Sequence, residues 1–168
     1  MVCDDKKTNI NELHDIMSEA HNVLKIIFFG DIVGKSGRLA VKNFLAKNKS
    51  NYDFVIANVE NASHGFGLTE KNYNDLSEYG IDCMTSGNHI WDKRDILNFI
   101  DNADKLIRPL NYPKNTKGQG YRIFEINNNK IAVINILGKV FINVSDFQWD
   151  YIVETINRIK EIWNAIQV

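Results

Sequence analysis

Leu24-Lys25-Ile26-Ile27-Phe28-Phe29-Gly30-Asp31, Phe54-Val55-Ile56-Ala57-Asn58-Val59-Glu60-Asn61 and Ile81-Asp82-Cys83-Met84-Thr85-Ser86-Gly87-Asn88-His89 share one pattern. Each is a short apolar run that ends in a polar cluster. Asp31 and Glu60 stand 29 positions apart, Glu60 and Asn88 28. That step is the length of a strand, a helix and a return, a βαβ crossover. Crossovers of one hand leave the carboxyl ends of parallel strands on the same edge of a sheet. Asp31, Glu60, Asn61, Asn88 and His89 are therefore expected to meet at one crevice. Two carboxylates, two amides and an imidazole suit a divalent cation with a mixed oxygen and nitrogen shell.

The segments between these runs fit the same scheme. Strands are expected over residues 24–29, 53–57 and 81–85. After Gly34-Lys35-Ser36-Gly37 a helix carries Leu39, Val41, Phe44 and Leu45 as its apolar side. Residues 62–68 form a Gly-rich loop. Thr69 suits the N-cap of a helix over 70–79, and Gly80 its C′ position. A short helix is expected over 93–99 and an extended segment over 106–109. Residues 121–126 and 130–137 read as two strands joined by Asn127-Asn128-Asn129, a hairpin signal. Apolar residues at 152, 156, 159, 163 and 166 predict an amphipathic helix from about Trp149.

Length and composition narrow the function classes. The 168 residues suit one domain with a core of its own. At 44% apolar and 24% charged the chain is an ordinary globular sequence. The net charge of −1 and the lack of a Lys/Arg block argue against phosphate-driven binding to long nucleic acid. Cys3 and Cys83 have no C-x-x-C spacing, which points to a reduced, cytoplasmic protein. No apolar stretch approaches the ~20 residues that span a bilayer. Residues 1–23 are read as a polar N-terminal extension with a weak stripe of Ile10, Leu13 and Met17, and residues 24–168 as the domain.

Each cluster also has an ordinary reading. A strand-end Asp31 is often a turn former, and Glu60 is plainly tolerated at the start of a loop. An isolated Asn-His pair is commonly a turn with a satisfied histidine. Three clusters at matching offsets favour a shared site. His14 and His21 fall in the polar extension, whereas His64 follows Glu60-Asn61 closely enough to line the crevice. Residues 30–36 imitate a phosphate-binding Gly-x4-Gly-Lys-Ser loop, but only three residues separate Gly30 from Gly34. Lys35 and Arg38 are left as weak phosphate attractors.

Over about residues 24–141 the chain resembles the YmdB-like branch of the calcineurin-like metallophosphoesterases. The motifs are Gly30-Asp31-Ile32-Val33-Gly34-Lys35 with Gly37-Arg38, Glu60-Asn61-Ala62 with Gly65-Phe66-Gly67-Leu68-Thr69, and Gly87-Asn88-His89-Ile90-Trp91-Asp92. Leu106-Ile107-Arg108-Pro109, Asn111-Tyr112-Pro113 and Ala132-Val133-Ile134-Asn135 extend the match. The resemblance implies an α-β-β-α sandwich and metal-dependent hydrolysis of a small phosphodiester, with 2′,3′-cyclic nucleotides as the substrate class. It implies two divalent metals, iron, manganese or magnesium, that activate a hydroxide. Asp31 would bind one metal, Glu60 bridge both, Asn88 bind the second and Asn61 complete or orient the shell. His89 would protonate the leaving oxygen.

The family supplies further histidine ligands from a C-terminal half, whereas the last histidine here is His89. The expectation is thus a C-terminally truncated version of the fold. Three readings stay open: a phosphodiesterase, a non-catalytic remnant that binds metal or nucleotide, and half of a split enzyme. The split enzyme would be completed by a C-terminal polypeptide or a second copy in a homo-oligomer, since an open sheet edge invites pairing.

Overall fold

A computed structural model describes residues 23–138 and 148–165. The expectations for Cys3, for the stripe in residues 1–22, and for His14 and His21 lie outside the described residues.

Four parallel strands form the main sheet in the order β1-β2-β3-β4: Ile26–Phe29 (β1), Phe54–Asn58 (β2), Cys83–Thr85 (β3) and Leu106–Ile107 (β4). Helices Gly34–Asn48 (α1), Glu70–Glu78 (α2) and Ile96–Phe99 (α3) lie in the connections. Tyr121–Ile126 (β5) and Asn129–Ile134 (β6) make a separate antiparallel hairpin, and Trp149–Ala165 (α4) follows it. The mixed α/β sandwich expected from the sequence is the architecture observed.

Side chains alternate across a strand, and the layers follow from that alternation. Val55, Ala57, Met84 and Leu106 face the helices, where they join Val41 and Leu45 of α1, Leu76 of α2 and Ile96 of α3. Their neighbours Phe54, Cys83 and Ile107 face the hairpin and meet Phe124, Ile126, Ile131 and Val133. Each large side chain so buried is worth roughly 1.5–3 kcal/mol. Both faces of the central strands are covered, which is why their sequences read as continuous apolar runs.

Local signals explain the ends of the elements. Thr69 caps α2, its hydroxyl accepting from the Asn72 N–H at 3.3 Å. Gly80 follows that helix at φ +98. The hairpin turns on Asn127 and Asn128, at φ +49 and +63, so that Ile126 pairs with Asn129. Positive φ at both central residues is the requirement of a two-residue type I′ turn, and Asn tolerates it.

Several expectations need adjustment. Leu39 is 50% exposed, not on the buried side of α1. It lies about 200° round the helix from Val41. The strand expected from Ile81 covers only Cys83–Thr85, because the Asp82 carboxylate takes the Val55 N–H at 2.9 Å and salt-bridges Lys49. Only residues 96–99 of the expected 93–99 helix are helical. Strand β6 ends at Ile134, three residues early. One further rung follows in the same register before the chain turns to the loop after β4. The Asn135 N–H donates to the Gly120 carbonyl, and its own carbonyl receives the Leu110 N–H.

Candidate functional site

Backbone bonds beyond the strand ends carry the three polar clusters to one edge of the main sheet. The Ile32 N–H donates to the Asn58 carbonyl at 3.0 Å, the Val59 N–H to Thr85 at 2.9 Å and the Gly34 N–H to Asn61 at 2.9 Å. These bonds extend the parallel ladder past its last strand residues. They hold the Asp31, Glu60-Asn61 and Gly87-Asn88-His89 corners side by side.

Two direct contacts join the clusters. Asn61 Nδ2 donates to Asp31 Oδ1 at 2.7 Å. The His89 N–H donates to Glu60 Oε2 at 3.2 Å, while Asn58 Nδ2 reaches Glu60 Oε1 at 3.4 Å. A Cβ on residue 87 would overlap the Glu60 carboxylate, so only glycine lets the two corners close together. Asp31 itself stands at φ +38, a backbone setting uncommon outside glycine. Asn88 lies between these groups in sequence and forms no side-chain hydrogen bond among the described residues.

The donor set accommodates a hard divalent cation. The Asn58 and Asn61 side-chain oxygens are buried with no hydrogen-bond partner. Buried amide oxygens are rarely left so, and an oxygen-liking cation satisfies them. The Asp31 and Glu60 carboxylates supply charge. Among the described residues, no group of three or more His, Cys, Asp and Glu side chains gathers in a metal-ligating arrangement. The cluster is therefore built from two carboxylates and amide oxygens.

His89 is oriented locally. Its Nδ1 lies 2.7 Å from Asp92 Oδ2, one turn along the 3₁₀ segment Asn88–Asp92. With Nδ1–H donated to the carboxylate, Nε2 is the nitrogen that this contact leaves uncommitted. The Phe66 ring meets the His89 ring edge-on at 5.2 Å. On the other flank Trp91 packs against Tyr112 at 6.0 Å. Burial, with the Glu60 charge adding to it, pushes the Tyr112 hydroxyl above its ordinary range; a hydrogen bond with Trp91 acts the other way.

The remaining sequence candidates have defined places. His64 is exposed at φ +59 and forms no hydrogen bond among the described residues. The Arg38 guanidinium donates to the Ala62 carbonyl and so fastens the loop after Asn61. Cys83 is fully buried between the sheet and the hairpin, and burial pushes its thiol up to about 12. Arg108 is buried and donates to the carbonyls of Pro109, Thr116 and Lys117, closing the loop after β4.

Four contributions escaped the sequence reading. Asp92 closes the Gly87–Asp92 motif, but its role against His89 depends on a spacing of three that needs the local turn to bring the two together. Asn58 stands one place past the expected second strand and carries no signal of its own. Phe66 belongs to the Gly65–Thr69 motif, but its contact with His89 is not visible in the sequence. Asn135 donates to the Ser86 carbonyl at 2.6 Å and steadies the approach to Gly87, a contact between positions 49 apart.

Comparison with known proteins follows the same boundaries. A family model described as YmdB-like protein matches residues 27–168. The chain is 46% identical over 121 residues to the 2′,3′-cyclic-nucleotide 2′-phosphodiesterase of Bacillus subtilis, covering 71% of this chain and 46% of that one. It is 45% identical over 123 residues to a putative phosphatase/phosphodiesterase of Mycoplasma pneumoniae, covering 70% and 44%. Among solved structures, a hypothetical protein from Thermus thermophilus superposes with a TM-score of 0.75 at 31% identity, over 80% of this chain and 53% of that one. A novel phosphatase from Mycoplasma pneumoniae gives 0.71 at 39% identity, over 80% and 50%. The chain spans about half the length of these relatives.

Proposed function

The chain belongs to the YmdB-like family, and from that premise we propose that it carries the metal-binding and proton-donating part of a phosphodiesterase centre. The substrate class is a small phosphodiester of the 2′,3′-cyclic nucleotide type. Its relatives are named for phosphodiesterase or phosphatase activity. The observation that carries the reading is the junction of Glu60 with the Gly87–His89 corner, beside buried Asn58 and Asn61 oxygens that lack any partner.

Asp31, Glu60, Asn61 and Asn88 hold divalent cations in this reading, two in the complete centre. Bound there, the cations supply a nucleophile at neutral pH and neutralise the charge that develops on phosphate. The other roles belong to this chain's own groups. Glu60 is held by the His89 N–H and the Asn58 amide, in the space that the absent Cβ of Gly87 leaves open. Asp31 is steadied by the Asn61 amide. His89 delivers a proton from Nε2 to the departing ribose oxygen, and Asp92 holds the imidazole in the tautomer and orientation that this needs. Oxygen-rich ligands favour manganese or magnesium over softer ions.

Among the described residues, no helix is long and apolar enough to cross a membrane. We place the protein in the cytoplasm on its cysteine usage. The second reading is a split enzyme whose remaining ligands come from another polypeptide; another copy would supply strands but no new ligand type. It is favoured by the finding that, among the described residues, no three His, Cys, Asp or Glu side chains are grouped so as to hold a metal.

The test is hydrolysis of adenosine 2′,3′-cyclic phosphate by the purified chain with added Mn²⁺, beside Glu60→Ala. Turnover that disappears in Glu60→Ala is expected. A folded chain that binds Mn²⁺ but does not turn over overturns the self-sufficient enzyme and leaves the split one.

A further inference from the structure

Phe66 sits at the tip of a loop that is clamped at both ends. The Ser63 N–H donates to the Gly67 carbonyl at 3.0 Å and the Phe66 N–H to the Ser63 carbonyl at 3.3 Å, so residues 63–67 fold back on themselves. The Ser63 hydroxyl accepts from Asn72 Nδ2 at 2.6 Å and from the Thr69 N–H at 3.0 Å. Gly67, at φ +73, presses against Lys93 with no room for a side chain. Such a loop has one preferred shape, and that shape puts a large apolar ring into water. Phe66 is 55% exposed, and its ring meets the His89 imidazole edge-on with centroids 5.2 Å apart.

A lone exposed aromatic is common on a protein surface. This one stands within a ring contact of the imidazole that gives up the proton. In a nucleoside cyclic phosphate the departing oxygen belongs to the ribose, and the base is attached to that same sugar. A base bound with its sugar oxygen at His89 therefore lies one sugar ring away, in the region Phe66 occupies. Aromatic side chains stack on any base because every base has a π face.

We infer that Phe66 is the base-stacking residue of the site, selecting phosphodiesters that carry a nucleobase over those that do not. The inference rests on the reading of His89 and its neighbours as a phosphodiesterase centre. It further requires that purines be held more firmly than pyrimidines, and that the identity of the base matter little beyond its size.

The experiment compares adenosine 2′,3′-cyclic phosphate with ribose 2′,3′-cyclic phosphate, which lacks the base, as Mn²⁺-dependent substrates of the purified full chain, Phe66→Ala and Phe66→Trp. Phe66→Ala should raise KM for the adenosine compound roughly tenfold with kcat little changed. It should leave the base-less compound as it was, and Phe66→Trp should restore the difference. An equal fall on both substrates would reduce Phe66 to a support for His89 and overturn the inference; so would no effect on either. Should the chain hydrolyse neither compound, the self-sufficient enzyme fails by itself, and equilibrium binding of adenosine 3′-monophosphate and ribose 3-phosphate decides. Roughly tenfold weaker binding of the nucleotide alone in Phe66→Ala upholds the stacking role. Equal binding by both proteins, or none, ends it.

Discussion

The carboxylate of Glu60 occupies the space where residue 87 would carry a side chain. Gly87 thus fixes how closely the β2 and β3 corners approach. Gly87→Ala should leave the sheet intact and push Glu60 off the His89 N–H. Disturbing even an outer-shell partner typically costs ten- to a hundredfold in metal affinity, and a displaced ligand carboxylate should cost at least about that much. Titration with Mn²⁺ followed by thermal denaturation reads this directly: the Mn²⁺-induced rise in Tm should shrink, with Tm in EDTA nearly unchanged. A matching loss of Tm in EDTA would mean the glycine serves the fold rather than the cluster.

Asp92 and His89 form the second close pair, at 2.7 Å. Asp92→Asn preserves shape but replaces the carboxylate with a neutral amide, whose NH2 can face Nδ1 and favour the other imidazole tautomer. It should lower kcat for the cyclic nucleotide at least about tenfold with KM little changed, since orientation of a general acid is worth on the order of tenfold or more. An unchanged kcat under conditions where Glu60→Ala is inactive would exclude a positioning role for Asp92.

Cys83 makes stability fall at alkaline pH. Its folded-state thiol lies near 12 against an ordinary 9.0, because burial disfavours the thiolate. Above pH 9 the unfolded chain releases this proton and the folded chain keeps it, so unfolding gains free energy as pH rises. The contribution is whole below pH 9 and is lost progressively towards pH 12, at up to about 1.4 kcal/mol per pH unit. Cys83→Ala should flatten urea-denaturation stability between pH 9 and 11 by about one proton. The same slope in both proteins would place the titration elsewhere.

The hairpin turn offers a test of backbone rather than side chain. Asn128, at φ +63, tolerates a setting that β-branched residues resist. Asn128→Val should cost roughly 1–2 kcal/mol and Asn128→Gly nothing or less than nothing. Midpoints of urea denaturation separate the two. Equal midpoints would mean that the turn is not held in the I′ form.

How much of this was legible beforehand differs by element. The three apolar runs, their spacing and their polar ends announced parallel strands with their clusters on one edge. The strands appear in that order, because burial on both faces demands unbroken apolar runs. The capping Thr69, the terminal Gly80 and the Asn127-Asn128 turn were equally readable, being local conformational preferences. Leu39 was misjudged because its neighbours are apolar too, and only the angle round α1 decides which of them is covered.

Sequence by itself thus determined three parallel strands in βα units, the expectation that their polar ends share one edge, and the family. All of these depend on periodicity, spacing and residue type along the chain. Tertiary structure alone decided that Gly87 makes room for Glu60, that Arg38 is committed to the Ala62 carbonyl, that Asn58 and Asn61 keep buried oxygens unpaired, and that Phe66 stands exposed beside His89. Each of those is a distance between atoms on different elements, set by how the layers pack, and no one-dimensional pattern encodes it.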